Sequence, residues 1–190
     1  MFQKRLAGKS AVILGLFLVI LVSGTPFASD SDKNQALREA CEKGNLEDVK
    51  RLLSQGADAN AETTGWTALM FASGEGHTEI VKLLLEKGVD INAKTNEGET
   101  ALISASKRGH AGVVRLLLDK GADINAKTNE GWTALMQASR QGHTEVVKLL
   151  LDGGADVNAT FDAGRTALTF ASERGHADVV KLLKAHGAKD

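Results

Sequence analysis

Cysteine and proline each occur once in this 190-residue chain, as Cys41 and Pro26, and tyrosine does not occur. A single cysteine excludes an intrachain disulfide, so the fold must be stable through packing alone. Aromatic residues make up 4% of the chain, against 43% hydrophobic and 25% charged residues, a balance that fits an ordered, helix-rich domain and not a disordered one. No Asp or Glu precedes Asp30, whereas Lys4, Arg5 and Lys9 lie in the first ten residues. Beyond them, 20 of the 23 basic residues face all 24 acidic ones. A mildly acidic domain is a poor match for nonspecific nucleic-acid binding, which rests on neutralising phosphates. Motifs of chemistry are missing too. There is no His-Glu-x-x-His, no paired Cys-x-x-Cys, no calcium loop, no Gly-x-Ser-x-Gly and no phosphate-binding Gly loop followed by Lys-Ser/Thr. The expectation is a non-enzymatic protein with no catalytic residues, no cofactor and no metal.

What is present begins with an export signature. The basic start precedes twelve apolar or Gly residues at 11–22, then the small-residue stretch Ser23-Gly24-Thr25-Pro26-Phe27-Ala28. Twelve helical residues span about 18 Å, short of the roughly 30 Å hydrocarbon core, which favours a cleaved signal peptide over a spanning helix. Residues 1–28 are therefore read as a signal peptide and 29–190 as the exported domain, periplasmic or secreted. The alternative is an uncleaved N-terminal anchor, suggested by Pro26 close to the cut, which would leave a membrane-tethered scaffolding protein facing outward. Cys41 lies too far beyond the apolar run to carry a lipid.

The dominant feature is the pentapeptide Gly-x-Thr-Ala-Leu, which starts at Gly65, Gly98, Gly131 and Gly164, always 33 residues apart. A fixed period of that length marks a solenoid whose units bury their apolar faces only by stacking. In the unit starting at Gly98, Thr100 is placed to cap a short helix reaching Arg108, Gly109-His110 ends it, and residues 111–119 form a second helix with Val113, Val114, Leu116, Leu117 and Leu118 as its apolar stripe. A polar finger, Ala126-Lys127-Thr128-Asn129-Glu130, leads by a hairpin-type turn into the next unit.

This unit resembles the ankyrin repeat. Its Thr-Pro-Leu-His-x-Ala motif stands here as Thr67-Ala68-Leu69-Met70-Phe71-Ala72 and recurs at 100–105, 133–138 and 166–171, with Ala always in place of Pro. Gly-His at 76–77, 109–110, 142–143 and 175–176 supports the match, as does Leu-Leu-Leu at 83–85, 116–118 and 149–151. The resemblance implies an all-α repeat solenoid of helix-turn-helix units with β-turn fingers, five repeats at about 33–64, 65–97, 98–130, 131–163 and 164–190 including both caps. A degenerate first repeat carries Arg38, Glu39 and Arg51 where the next has Met70, Phe71 and Leu83, and Lys184 replaces the third Leu of the last. The first finger is one residue shorter, so an altered tip is expected there.

Recurring polar residues are read structurally. His77, His110, His143 and His176 occupy one point in successive repeats, too far apart to share a metal and suited to bonding neighbouring backbone. Asp58, Asp90, Asp123 and Asp156 are expected to bond local amides, and His186 to be exposed. Cys41 aligns with Ser73 and Ser106 as a buried small residue, a redox thiol being the alternative. Asn158-Ala159-Thr160 matches a glycosylation sequon.

Residues 88–120 and 121–153 agree at 23 of 33 positions, and half of their differences cluster at the start and inner face of the first helix. The family resemblance places these on the concave face where partners bind. It implies a partner-binding surface of Trp66, Phe71, Glu75, Glu99, Lys107, Arg108, Trp132, Arg140, Gln141, Arg165 and Arg174, used by a monomer to hold another protein. The alternative for Trp66 and Trp132 is that each covers its own repeat's helix.

Overall fold

The computed structural model describes residues 29–63 and 65–189. Residues 1–28, expected to be a signal peptide, fall outside the described residues. Ten α-helices are described: α1 (Asp30–Glu42), α2 (Leu46–Ser54), α3 (Ala68–Gly74), α4 (Thr78–Glu86), α5 (Ala101–Arg108), α6 (Ala111–Asp119), α7 (Ala134–Gln141), α8 (Thr144–Asp152), α9 (Ala167–Glu173) and α10 (Ala177–Ala185). They pair in order into five hairpins. The first helices α1, α3, α5, α7 and α9 pack in one row and the second helices α2, α4, α6, α8 and α10 in a parallel row. The core lies between the rows, built from the same positions in each repeat, such as Leu69, Leu102, Leu135 and Leu168 against Val81, Val114 and Val147. This is the all-α solenoid that the resemblance implied. Among the described residues no helix is long and apolar enough to cross a membrane.

Local chemistry explains why each helix starts where it does. The hydroxyls of Thr67, Thr100, Thr133 and Thr166 accept hydrogen bonds from the amides of Met70, Ile103, Met136 and Thr169, so capping survives the loss of the motif proline. The first repeat departs in length: α1 begins at Asp30 behind a Ser29–Asp32 capping box and runs 13 residues. Its outer surface carries i,i+3 and i,i+4 ion pairs, Lys43–Glu39 at 3.5 Å, Lys50–Glu47 at 2.8 Å and Arg51–Asp48 at 2.7 Å. Pairs of this kind contribute little stability individually but keep an end face wetted. Glu39 and Arg51 are exposed and Arg38 half-buried, where the next repeat buries Met70.

Three polar ladders tie one repeat to the next. Each repeat histidine donates from Nε2 to a carbonyl at the end of the preceding first helix: His77 to Glu42 (3.0 Å), His110 to Gly74 (2.9 Å), His143 to Lys107 (3.2 Å) and His176 to Arg140 (3.1 Å). The rings lie flat against the glycines of the earlier turn, so a Cβ built on Gly76 would fall 2.5 Å from His110 Nδ1. Gly and His therefore recur together because each shapes the other's site. The repeated aspartates accept from the amide two residues on, at 2.9–3.0 Å, closing the turn as expected. The third ladder escaped sequence reasoning. Asn34, Asn60, Asn92, Asn125 and Asn158 accept from the backbone amides of Asp58, Asp90, Asp123, Asp156 and Lys189 in the following unit. From Asn60 onward the asparagines keep the repeat period, which was the available signal, whereas Asn34 on α1 stands outside it.

The short first finger does take a different form. Residues Glu62–Thr63 (β1) and Trp66–Thr67 (β2) pair antiparallel, Glu62 opposite Thr67 and Thr63 opposite Trp66. The next two fingers close instead by one backbone bond, from Thr95 N to Glu99 O (2.9 Å) and from Thr128 N to Trp132 O (3.0 Å), with the threonine hydroxyl accepting from the Glu99 or Trp132 amide at 3.1 Å. Cys41 is wholly buried, and burial pushes its thiol up to about 12, as a packed small residue requires.

Candidate functional site

Fingers and first helices together line a groove along one side of the stack. Its N-terminal part is a cavity of about 380 Å³ walled by Trp66, Met70, Phe71, Gly74, Glu75, Ser104 and Arg108, with Glu42 at its rim. The next part, about 420 Å³, lies among Glu97, Asn129, Glu130, Trp132, Gln137 and Arg140. Glu99 and Lys107 border both, so the two parts adjoin. Eight of the eleven residues singled out from the sequence line this groove. Arg165 stands at its C-terminal end beside Glu173, 3.4 Å away. Gln141 and Arg174 are exposed and line neither cavity.

The aromatic residues of the described chain are five, Trp66, Phe71, Trp132, Phe161 and Phe170, and they gather in two groups on this side. At the N-terminal group Trp66 and Phe71 touch at 5.4 Å between ring centroids and both are half-buried. The C-terminal group is larger: Trp132 meets Phe161 at 4.4 Å and Phe170 at 4.6 Å. The Arg140 guanidinium lies 5.3 Å from the Trp132 ring and that of Arg165 4.3 Å from Phe170. These cations lie over ring faces whose quadrupoles attract them. Sequence reasoning missed Phe161, which comes from the finger. The signal was a break in period, since Thr95 and Thr128 hold that position in the two preceding repeats.

Polar groups set the groove's character. Arg108 on α5 forms an ion pair with Glu75 from the preceding repeat. Glu99 accepts from Ser104 Oγ at 2.8 Å, and Trp132 Nε1 donates to Glu130 at 3.2 Å. Gln137, 7% exposed, has a buried side-chain oxygen with no hydrogen-bond partner. Five glutamates, 42, 75, 97, 99 and 130, thus face three cations, Lys107, Arg108 and Arg140. Among the described residues no group of three His, Cys, Asp or Glu is arranged to hold a metal.

A family model describing ankyrin repeats in three copies matches residues 11–95, 37–128, 89–161 and 126–190. The chain belongs to the ankyrin-repeat family. Ankyrin repeats are protein–protein interaction modules and are typically non-enzymatic. Among curated proteins, the mitochondrial disaggregase of Homo sapiens is 54% identical over 46 residues, which is 24% of this chain and 6% of that protein. The mitochondrial disaggregase of Bos taurus is 54% identical over 46 residues as well, 7% of its length. The chain thus spans a small fraction of these relatives, and the likeness is one of repeat units.

Proposed function

We propose that this protein is exported and that, as a monomer, it holds another protein in the groove between its fingers and first helices. The observation that carries the reading is the gathering of all five described aromatic residues on the side of the stack where two cavities adjoin. Trp and Arg are the side chains most enriched where binding energy concentrates. The His, Asp and Asn ladders hold the surface rigid before docking, so little conformational entropy is lost on binding. Residues 29–190 form the exported domain, and the apolar run with its basic start supports export. N-terminal sequencing of the mature protein checks this: a start near Ser29 fits cleavage, and an intact Met1 would instead make the protein a membrane-tethered scaffold.

Photocrosslinking tests the surface. A photoreactive residue at Lys107 in the groove should trap a partner in the exported compartment, while one at exposed Lys148 on the outer helix α8 should not. Trapping from Lys148 alone would place binding on the opposite side.

A further inference from the structure

The two aromatic groups of the groove stand two repeats apart, and matching them position by position shows what one has and the other lacks. Around Trp132 lie Phe161, Phe170 and Arg140. The residues at those positions around Trp66 are Thr95, Ser104 and Gly74. Two rings and a guanidinium give way to two small side chains and a glycine, and the 380 Å³ cavity opens against Gly74 and Ser104. The charge of the wall changes as well. Arg165, which covers Phe170, corresponds to Glu99 at the N-terminal group. Glu42 adds a second carboxylate that forms no ion pair among the described residues, while Glu75 and Arg108 neutralise each other. Lys107 is exposed at the junction with the second cavity.

We propose that this cavity takes an arginine side chain next to an aromatic one, both presented by a segment of the partner polypeptide. The guanidinium lies over Trp66 and faces Glu99, as Arg140 lies over Trp132 within the chain itself. The partner's ring fills the place above Ser104 that Phe170 fills two repeats on. Charge complementarity and the unfilled volume select this occupant: the cavity has a ring face, an excess of carboxylates in its wall and, among the described residues, no cation over the Trp66 ring. The inference rests on the reading that the groove binds a protein, and it names the chemistry of what enters.

The test uses the full chain and acetyl-Phe-Arg-amide, followed through the indole N–H resonances of Trp66 and Trp132. The dipeptide should shift the Trp66 signal saturably and leave Trp132 still, with binding weakened about tenfold or more when Arg is replaced by Glu or Phe by Ser. Two variants fill the cavity from within. Ser104→Phe places a ring where Phe71 and Phe170 already stand in their repeats, and Gly74→Arg supplies the guanidinium. At Gly74 an added Cβ meets ordinary contacts, the nearest being Ser104 Cβ at 3.8 Å, so the variant has room to fold. Both should abolish the shift. Equal binding of the Phe-Glu dipeptide, movement of Trp132 together with Trp66, or unchanged binding by Ser104→Phe would overturn the proposal. Saturable binding of acetyl-Leu-Leu-amide alone would overturn it too while leaving a polypeptide-binding groove intact. Preference for a short single-stranded oligonucleotide would overturn both readings.

Discussion

Trp66 and Trp132 hold the second position of the same pentapeptide motif two repeats apart, and both are half-buried beside a cavity, yet only Trp132 is packed by two further rings and a guanidinium of the chain itself. The scaffold beneath them is the same. His110 fixes the end of α3 through the Gly74 carbonyl just as His176 fixes the end of α7 through that of Arg140. What differs is what surrounds each ring: Thr95 from its own finger with Ser104 and Glu99 from the next repeat in one case, Phe161 from its own finger with Phe170 and Arg165 from the next repeat in the other. A stacked repeat thus acquires its surface from its neighbour as much as from itself, and identical motifs can serve packing at one place and recognition at another.

Truncating the rings should separate the two groups most strongly. Phe170 is 2% exposed, so Phe170→Ala should cost about 3–5 kcal/mol by urea unfolding. Half-buried Phe71 should cost roughly 1–2 kcal/mol when truncated. Equal losses would mean that both groups are packing elements. The shared scaffold should instead respond alike. In Gly76→Ala and Gly142→Ala, the new Cβ would sit 2.5 and 2.6 Å from the next histidine's Nδ1, at positive φ, and each should lose roughly 2–4 kcal/mol. Gly175 has the same kind of backbone (φ +73) but nothing within 4 Å, so Gly175→Ala should lose only about 1 kcal/mol.

Smaller effects come from the column that runs beneath both groups. Ser73, Ser106 and Ser139 are fully buried and their hydroxyls have no partner, so Ser106→Ala should be neutral or stabilising by up to about 1 kcal/mol. Cys41 holds the same position in the first repeat. Its pKa is raised by burial, so folding favours the protonated thiol: stability is full below the unfolded value near 9 and falls as pH climbs toward about 12. The difference in unfolding free energy between the parent and Cys41→Ala should follow that window. Thiol reagents at neutral pH should label Cys41 only as the chain unfolds.

Much of this was legible in the sequence because it is periodic. The Thr caps, the Gly-His locks, the turn aspartates and the polar first repeat are each dictated by local geometry that every unit must satisfy. The groove residues from Trp66 to Arg140 were legible as a set, since they are where near-identical repeats differ. The fate of each was not. Phe71 and Phe170 share a register, and only the neighbours decide burial: Phe170 receives Trp132 and Arg165, while Phe71 lies next to a polar first repeat. Phe161 joined the cluster from a finger position that elsewhere holds Thr, and the contact exists only once finger and helix are stacked.

One experiment reaches the centre of the matter. The full chain is crosslinked through Lys107 in three forms, the parent, Gly74→Arg and Arg140→Gly. If Trp66 is the open recognition point and Trp132 the filled one, the partner is retained by the parent and by Arg140→Gly and lost from folded Gly74→Arg. Loss from Arg140→Gly with retention by Gly74→Arg would reverse the roles of the two tryptophans and contradict that division of the groove.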